Sequence, residues 1–326
     1  MGAAIVKTVC PLCKSELVGQ EPGLKCPNCS IIFPKRSGII EFFRGTDEFY
    51  EGKFLAKPRR IPFLDNHKRQ ILKRASLFGI RTKHEKYYRH MTRLPGEILA
   101  ILDLGCGTGN QDLKVERDYH VVGVDISLSS LIEAGRIYDE VYKASVTQLP
   151  LPQDIFHCVC SFDLIGHIPV KQKTTLIREI YRVLRPGGLS FNYIEVEPSK
   201  GYTSWAKQYP DLYKKHFVEK DGHFGLESYQ TVLERFRNQG FSLLEYKVLA
   251  KMILRPGVYA RRFNNEYKSK LFVINAIASL DAMLSKSAVT AGIVAIAMKP
   301  LEILFEPIVP DDYGGLLLTV HRKPVS

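Results

Sequence analysis

The run Ile98-Leu99-Ala100-Ile101-Leu102-Asp103-Leu104-Gly105-Cys106-Gly107-Thr108-Gly109 constrains this chain more than any other stretch. A short apolar segment that ends in a turn-forming cluster reads as a strand buried on both faces. The glycines at 105, 107 and 109 lack Cβ atoms, so the turn after that strand can adopt left-handed conformations and press its backbone N–H groups against a ligand. Such a turn is built for a nucleotide-like cofactor. A dinucleotide fingerprint spaces its glycines as G-x-G-x-x-G, and Asn110 stands where the third would fall, which makes that reading weak.

The residues Asp103-Leu104-Gly105-Cys106-Gly107-Thr108-Gly109 instead resemble the first motif of the class I (Rossmann-like) S-adenosylmethionine (SAM)-dependent methyltransferases. His120-Val121-Val122-Gly123-Val124 reads as a second buried strand. It ends in Asp125, twenty positions after Gly105, where such folds place an acceptor for the two ribose hydroxyls. The resemblance runs from about residue 97 to 197. It takes in Gln148-Leu149-Pro150-Leu151-Pro152 before a strand at 156–162, and Val183-Leu184-Arg185-Pro186-Gly187-Gly188 before another at 189–194. It implies SAM as cofactor, held by Asp103, Gly105, Cys106, Gly107, Gly109, Asp125, Ile126, Ser145, Val146 and Phe162. The chain departs from the family pattern at three places: Ser145 stands near an expected acid for the adenine amine, His157 at an aspartate, and Gly166 at a glutamate.

The implied fold is α/β, a seven-stranded Rossmann-like sheet with helices on both faces over residues 96–326. The alternation of strands and helical stretches after residue 97 argues independently for right-handed crossovers and a parallel sheet. A helix is predicted over 171–184 with Leu176, Ile177, Ile180 and Leu184 on its inner face, and another over 227–238. A sixth strand is predicted at 240–246 and the last only at 315–321, leaving a helical insertion over 250–313. Its uncharged runs, 271–280 and 287–298, are ten and twelve residues long. Both fall short of the roughly 18 apolar residues that read as a membrane span, so no transmembrane segment is expected. They read as two helices packed on the domain, a lid, a dimer face or an interfacial membrane helix. Facing the active site, they would imply a bulky or greasy substrate.

Four of the seven cysteines form Cys10-Pro11-Leu12-Cys13 and Cys26-Pro27-Asn28-Cys29, two C-x-x-C pairs separated by twelve residues. Two such turns present four soft sulfur ligands to one tetrahedral ion with no open position, which describes structural zinc, with iron as the alternative. Two disulfides would need an oxidising compartment, and the absence of a secretion signal argues instead for a cytoplasmic chain. Residues 1–43 are therefore read as a zinc ribbon. Its continuation, Ile31 to Phe42, resembles the short ribbon that precedes some bacterial and archaeal methyltransferase domains, some of which modify ribosomal RNA guanine. The ribbon either grips substrate or staples a fold too small for a core of its own. Cys106, Cys158 and Cys160 lie in or beside buried strands and read as small core residues.

The formal net charge of +12 favours anionic partners, and basic residues are densest between Lys53 and Arg93. RNA, an acidic membrane surface and a merely solvated face all fit this connector, 44–95. In the resembling family such a segment often caps the cofactor site, where Tyr87 and Tyr88 would lie; a helix is predicted over 68–78.

Methyl transfer is an in-line displacement at a sulfonium carbon, so the protein must chiefly hold the acceptor atom in place. A base that titrates near neutral pH helps a nitrogen or phenol acceptor. His167, just after the fourth strand, stands at the carboxyl edge of the sheet and is the first candidate, with a helix-capping or loop-fixing role as the alternative. Tyr193 and Glu195 alternate onto one face of the fifth strand and complete the catalytic set. Residues 201–205 and 216–224 are rich in aromatics and histidines and read as a loop wall of the acceptor pocket, or as ordinary packing. No N-P-P-Y signature of amine-directed nucleic-acid methyltransferases is present. The expected function is methyl transfer from SAM to a small-molecule or lipid-like acceptor. The alternatives are an RNA methyltransferase that uses the ribbon to bind substrate, and a non-catalytic scaffold on the same fold.

Overall fold

The computed structural model describes residues 6–45, 49–51, 100–110, 112–115, 119–201, 204, 206–251, 275–276, 279–280, 283 and 307–325. The predicted helix over 68–78, Tyr87, Tyr88, Trp205 and most of the 250–313 insertion lie outside these residues. The chain divides into two compact units: Met1–Ser161 with Arg178–Phe191 and Arg322–Ser326, and Phe162–Ile177 with Asn192–His321.

The first unit is built on a sheet whose centre is β5 (Ala100–Leu104), between β6 (His120–Asp125) and β8 (Phe156–Phe162). Both pairings are parallel, with Asp103 opposite Gly123 on one side and Cys160 on the other. Ile101, Leu102, Leu104, Val121, Val122 and Val124 are fully buried, as strands covered on both faces require. Outside β6 lies β7 (Glu140–Lys143), again parallel. The N-terminal ribbon contributes β1 (Val18–Gln20), β2 (Gly23–Lys25), β3 (Ile32–Arg36) and β4 (Ile39–Glu41), an antiparallel meander. Its last strand pairs in parallel with β7, Ile40 opposite Tyr142 and Glu41 opposite Lys143, so the ribbon extends the sheet. A buried ion pair, Lys143 Nζ to Glu41 Oε2 at 3.3 Å, fastens that seam.

Helix α1 (Leu128–Ala134) follows β6, and its Ser127 N-cap accepts from the Ser130 N–H. Helix α2 (Val170–Val183) buries Leu176, Ile177 and Ile180 as their spacing predicts, while Leu184, expected on the same face, is buried as the first residue of the next strand. β9 spans Leu184–Glu195, five residues longer at its start than the sequence suggests. Pro186 and Gly187 read as a turn, yet Gly187 N–H donates to the Lys323 carbonyl and Lys323 N–H to the Gly188 carbonyl, so tertiary pairing with the chain end overrides the local signal.

In the second unit the C-terminal part of β9 neighbours β11 (Gly314–Arg322), which neighbours β10 (Ser242–Lys251). Among the described residues after 97 the strands β5 to β11 number seven, the count expected. Helix α3 (Tyr229–Asn238) starts two residues later than predicted: Ser228 is its N-cap, and Glu227 lies outside it. The stretch 216–224, expected as loop, is helical at its start, because a π-turn over Lys214–Glu219 buries His216 and Phe217. Among the described residues no helix is long and apolar enough to cross a membrane.

Candidate cofactor and acceptor sites

The turn after β5 has the left-handed backbone its glycines allow: φ is +65° at Gly105, +52° at Gly107 and +80° at Gly109. The three glycines differ in what surrounds them. A Cβ at Gly109 would lie 3.3 Å from the Ala134 backbone, so this glycine lets α1 pack against the turn. Nothing lies within 4 Å of a Cβ at Gly107, which leaves space above the turn for a ligand.

Asp125 closes the other side. Its Oδ2 accepts from the Gly107 N–H and its Oδ1 from the Ser127 N–H, each at 2.9 Å. Burial raises its pKa and these backbone donors oppose the rise. Each oxygen keeps a lone-pair direction for a further donor. Asp103 is 3 % exposed, and burial pushes its carboxyl up to about 7, with the charge of Asp125 adding to the rise. The hydrogen bond from Tyr138 Oη to Asp103 Oδ2, at 2.6 Å, works in the opposite direction.

Tyr138 is a residue the sequence reading missed. Its phenol also accepts from the Asn110 N–H at 2.7 Å, tying the start of the glycine turn to its end. A Cβ at Gly123 would stand 2.8 Å from the Tyr138 ring and 2.9 Å from Cys106 Sγ, so a glycine in mid-strand admits both side chains. Glu51 was missed as well: it accepts from the N–H groups of Leu128 and Ser129 at the start of α1. These hydrogen bonds hold its pKa low against burial. Only a local signal in the sequence could have revealed either residue, and contacts across 28 to 78 positions leave none.

The other residues assigned to the cofactor are placed as follows. Ile126 is half-buried beside Asp125; Ser145 and buried Val146 follow β7, where Ser145 Oγ bonds Thr147 Oγ1 at 2.9 Å in a local turn. Burial drives the Cys106 thiol well above its ordinary value, consistent with a packing role. Phe162, half-buried, ends β8 and falls in the second unit.

The second unit gathers His167, Glu195 and His223, the last from the histidine-rich stretch 216–224; one ligand atom from each lies within 4.8 Å of the others. The imidazole rings of His167 and His223 are 4.9 Å apart, tilted by 47°. The segments that carry them are pinned together: His167 Nδ1 lies 2.9 Å from the Gly222 carbonyl, and the Gly225 N–H donates to the Gly166 carbonyl at 3.1 Å. The fully buried Lys173 amine donates to the Gly225 carbonyl and pairs with Glu227, itself bound by Arg235. Gly166 is needed here, since a Cβ would stand 3.0 Å from Glu195 Oε2 and 3.1 Å from its Cβ. Tyr193 shares the β9 face with Glu195, and burial raises its phenol pKa, with the charges of Asp163 and Glu195 adding to it.

The ribbon's Cys10, Cys13, Cys26 and Cys29 present sulfurs within 4.8 Å of one another. Lys14 and Ser30, each following the second cysteine of its pair, have φ of +60° and +58°, so both C-x-x-C turns close in the same way. Cys10, Cys26 and Phe33 form a small core with Leu17, Ile31, Ile40 and Phe42 around them. The Lys14 amine leaves the ribbon to meet Glu179 Oε2 and the Leu149 carbonyl, each at 3.0 Å.

Residues 101–188 match a protein family described as a methyltransferase domain. The chain is 28 % identical over 170 residues to phosphoethanolamine N-methyltransferase 1 of Zea mays, covering 48 % of this chain and 30 % of that protein. It is 33 % identical over 164 residues to the ubiquinone/menaquinone biosynthesis C-methyltransferase UbiE of Vibrio parahaemolyticus, covering 44 % and 58 %. To the sterol 24-C-methyltransferase of Aspergillus fumigatus it is 26 % identical over 178 residues, covering 52 % and 46 %. The chain thus spans less than two thirds of each of these relatives.

Proposed function

We propose that this chain, whose residues 101–188 match a methyltransferase domain and whose glycine turn resembles that of the class I SAM-dependent methyltransferases, transfers the methyl group of SAM to a small or lipid-like acceptor. The observation that carries the reading is the fixed carboxylate of Asp125 beside an open glycine turn. Asp125 would hold the ribose hydroxyls, the Gly105 to Gly109 backbone the amino-acid portion, and Asp103 the positive charge of the cofactor. SAM supplies an activated methyl group to a nucleophile. The protein's own contribution is then to orient both partners, exclude water and accept a proton where the acceptor has one to lose. His167, Glu195 and Tyr193 are the groups proposed to face the acceptor.

Relatives named for phosphoethanolamine, quinone and sterol methylation support an acceptor of small-molecule type. The ribbon supports it too. Its Lys14 is spent on Glu179, and its last strand on β7, which favours a staple over a substrate grip. Its four cysteines fit one tetrahedral zinc ion, with closed coordination and no chemical role. Calorimetric titration with SAM and with S-adenosylhomocysteine (SAH) tests the cofactor assignment. Tritiated methyl transfer into fractionated cell extract tests the acceptor: label in the organic-soluble or small-molecule fraction is expected, and label confined to RNA overturns the acceptor class.

A further inference from the structure

We propose that His167, His223 and Glu195 form a second metal site, distinct in chemistry from the four-cysteine cluster, that takes a divalent transition-series cation. Two imidazoles and one carboxylate are the borderline N/O donors that such ions prefer, and with three protein ligands positions remain open for an oxygen-bearing ligand.

Geometry carries the assignment beyond mere proximity. Three donors around one tetrahedral ion with bonds of about 2.1 Å stand about 3.4 Å apart. The ligand atoms lie within 4.8 Å of one another, so loading the site takes a closure of up to about 1.4 Å, shared among three side chains. His167 is already oriented: Nδ1 faces the Gly222 carbonyl, which fixes the tautomer in which Nε2 is the ligating nitrogen. That is the arrangement metal-bound histidines usually show. The same two residues, Gly222 and His223, thus orient one imidazole and supply the other. Glu195 Oε1 lies 4.0 Å from His223 Nε2, and Gly166 is the residue that lets the carboxylate approach the turn bearing His167. The buried Lys173–Glu227–Arg235 network and the Gly225–Gly166 hydrogen bond hold residues 222–227 against 166–173, so that two of the three donors, His167 and His223, share one base.

The site shares His167 and Glu195 with the acceptor side proposed above, where a bound cation would take the place of their proton-accepting role, and its test reads metal rather than turnover. Full-length protein, with its cysteine cluster loaded with zinc, is titrated with cobalt(II) and followed by visible absorption. Zinc is spectroscopically silent, so a ligand-field band without thiolate charge transfer reports a site of nitrogen and oxygen donors. One further equivalent of cobalt is expected to bind in this way. Glu195→Gln, which keeps the side chain's size, and His223→Ala are each expected to weaken it by about tenfold or more. If His223→Ala does not fold, Glu195→Gln decides alone. Absence of such a band, a band that carries thiolate charge transfer, or unchanged affinity in Glu195→Gln overturns the site.

Discussion

The glycine turn of the first unit and the histidine cluster of the second are held in place by opposite means. At the turn, the carboxylate of Asp125, proposed to hold the cofactor ribose, is gripped by the main-chain N–H groups of Gly107 and Ser127. At the cluster, side chains from three separate segments meet, and a fully buried lysine with its acidic partner ties two of them together. Hence a change at the turn should damage binding more than folding. A change in the scaffold of the cluster should damage folding first.

The largest effect is expected from Glu227→Ala, which leaves Lys173 buried without its acid and costs about 3–5 kcal/mol. Denaturant unfolding measures it, and a loss below about 1 kcal/mol would show that the cluster is not held by this network. Asp125→Ala should weaken SAH binding about a hundredfold, the loss of two hydrogen bonds to a charged group, read by calorimetry. A change under about threefold would remove Asp125 from the cofactor site and erase the contrast.

The pH dependence sharpens the comparison further. The Asp103 carboxyl ordinarily titrates near 3.8 and in the fold at about 7. The folded state therefore keeps its proton across that window, and stability is lost as pH rises from the lower value through the upper one. Bound SAM is cationic and favours the ionised carboxylate. SAM affinity should thus rise by up to about tenfold per pH unit below 7 and level off above it, with Asp103→Asn removing the dependence. The smallest effect belongs to Gly107→Ala: the methyl has room, so the left-handed φ of +52° should cost only about 1–2 kcal/mol of stability while SAH affinity falls more. A loss of stability without a loss of affinity would place the ligand elsewhere.

The turn was legible because its chemistry is contiguous. Asp103, the three glycines and Asp125 sit at spacings set by one strand, one turn and one crossover, and β6 and β8 have the boundaries that the apolar runs mark. The cysteine pairs were legible for the same reason. Tyr138 and Glu51 were not, since each acts on a residue far away in sequence, and for His223 the sequence marked only the histidine-rich stretch 216–224 and not the partners it meets. The start of β9 was hidden by Pro186 and Gly187, whose local preference for a turn yields to pairing with Lys323.

What the sequence by itself determined is the order of strands and helices, the glycine turn, the two carboxylates and the set of four thiols, because these follow from periodicity and from short-range backbone geometry. Tertiary structure alone decided that the ribbon's last strand joins the sheet through β7, that Tyr138 locks Asp103, and that His223 meets His167 and Glu195. Hydrogen-bond partners and buried charges are chosen by proximity in space, and a linear pattern carries no record of that proximity.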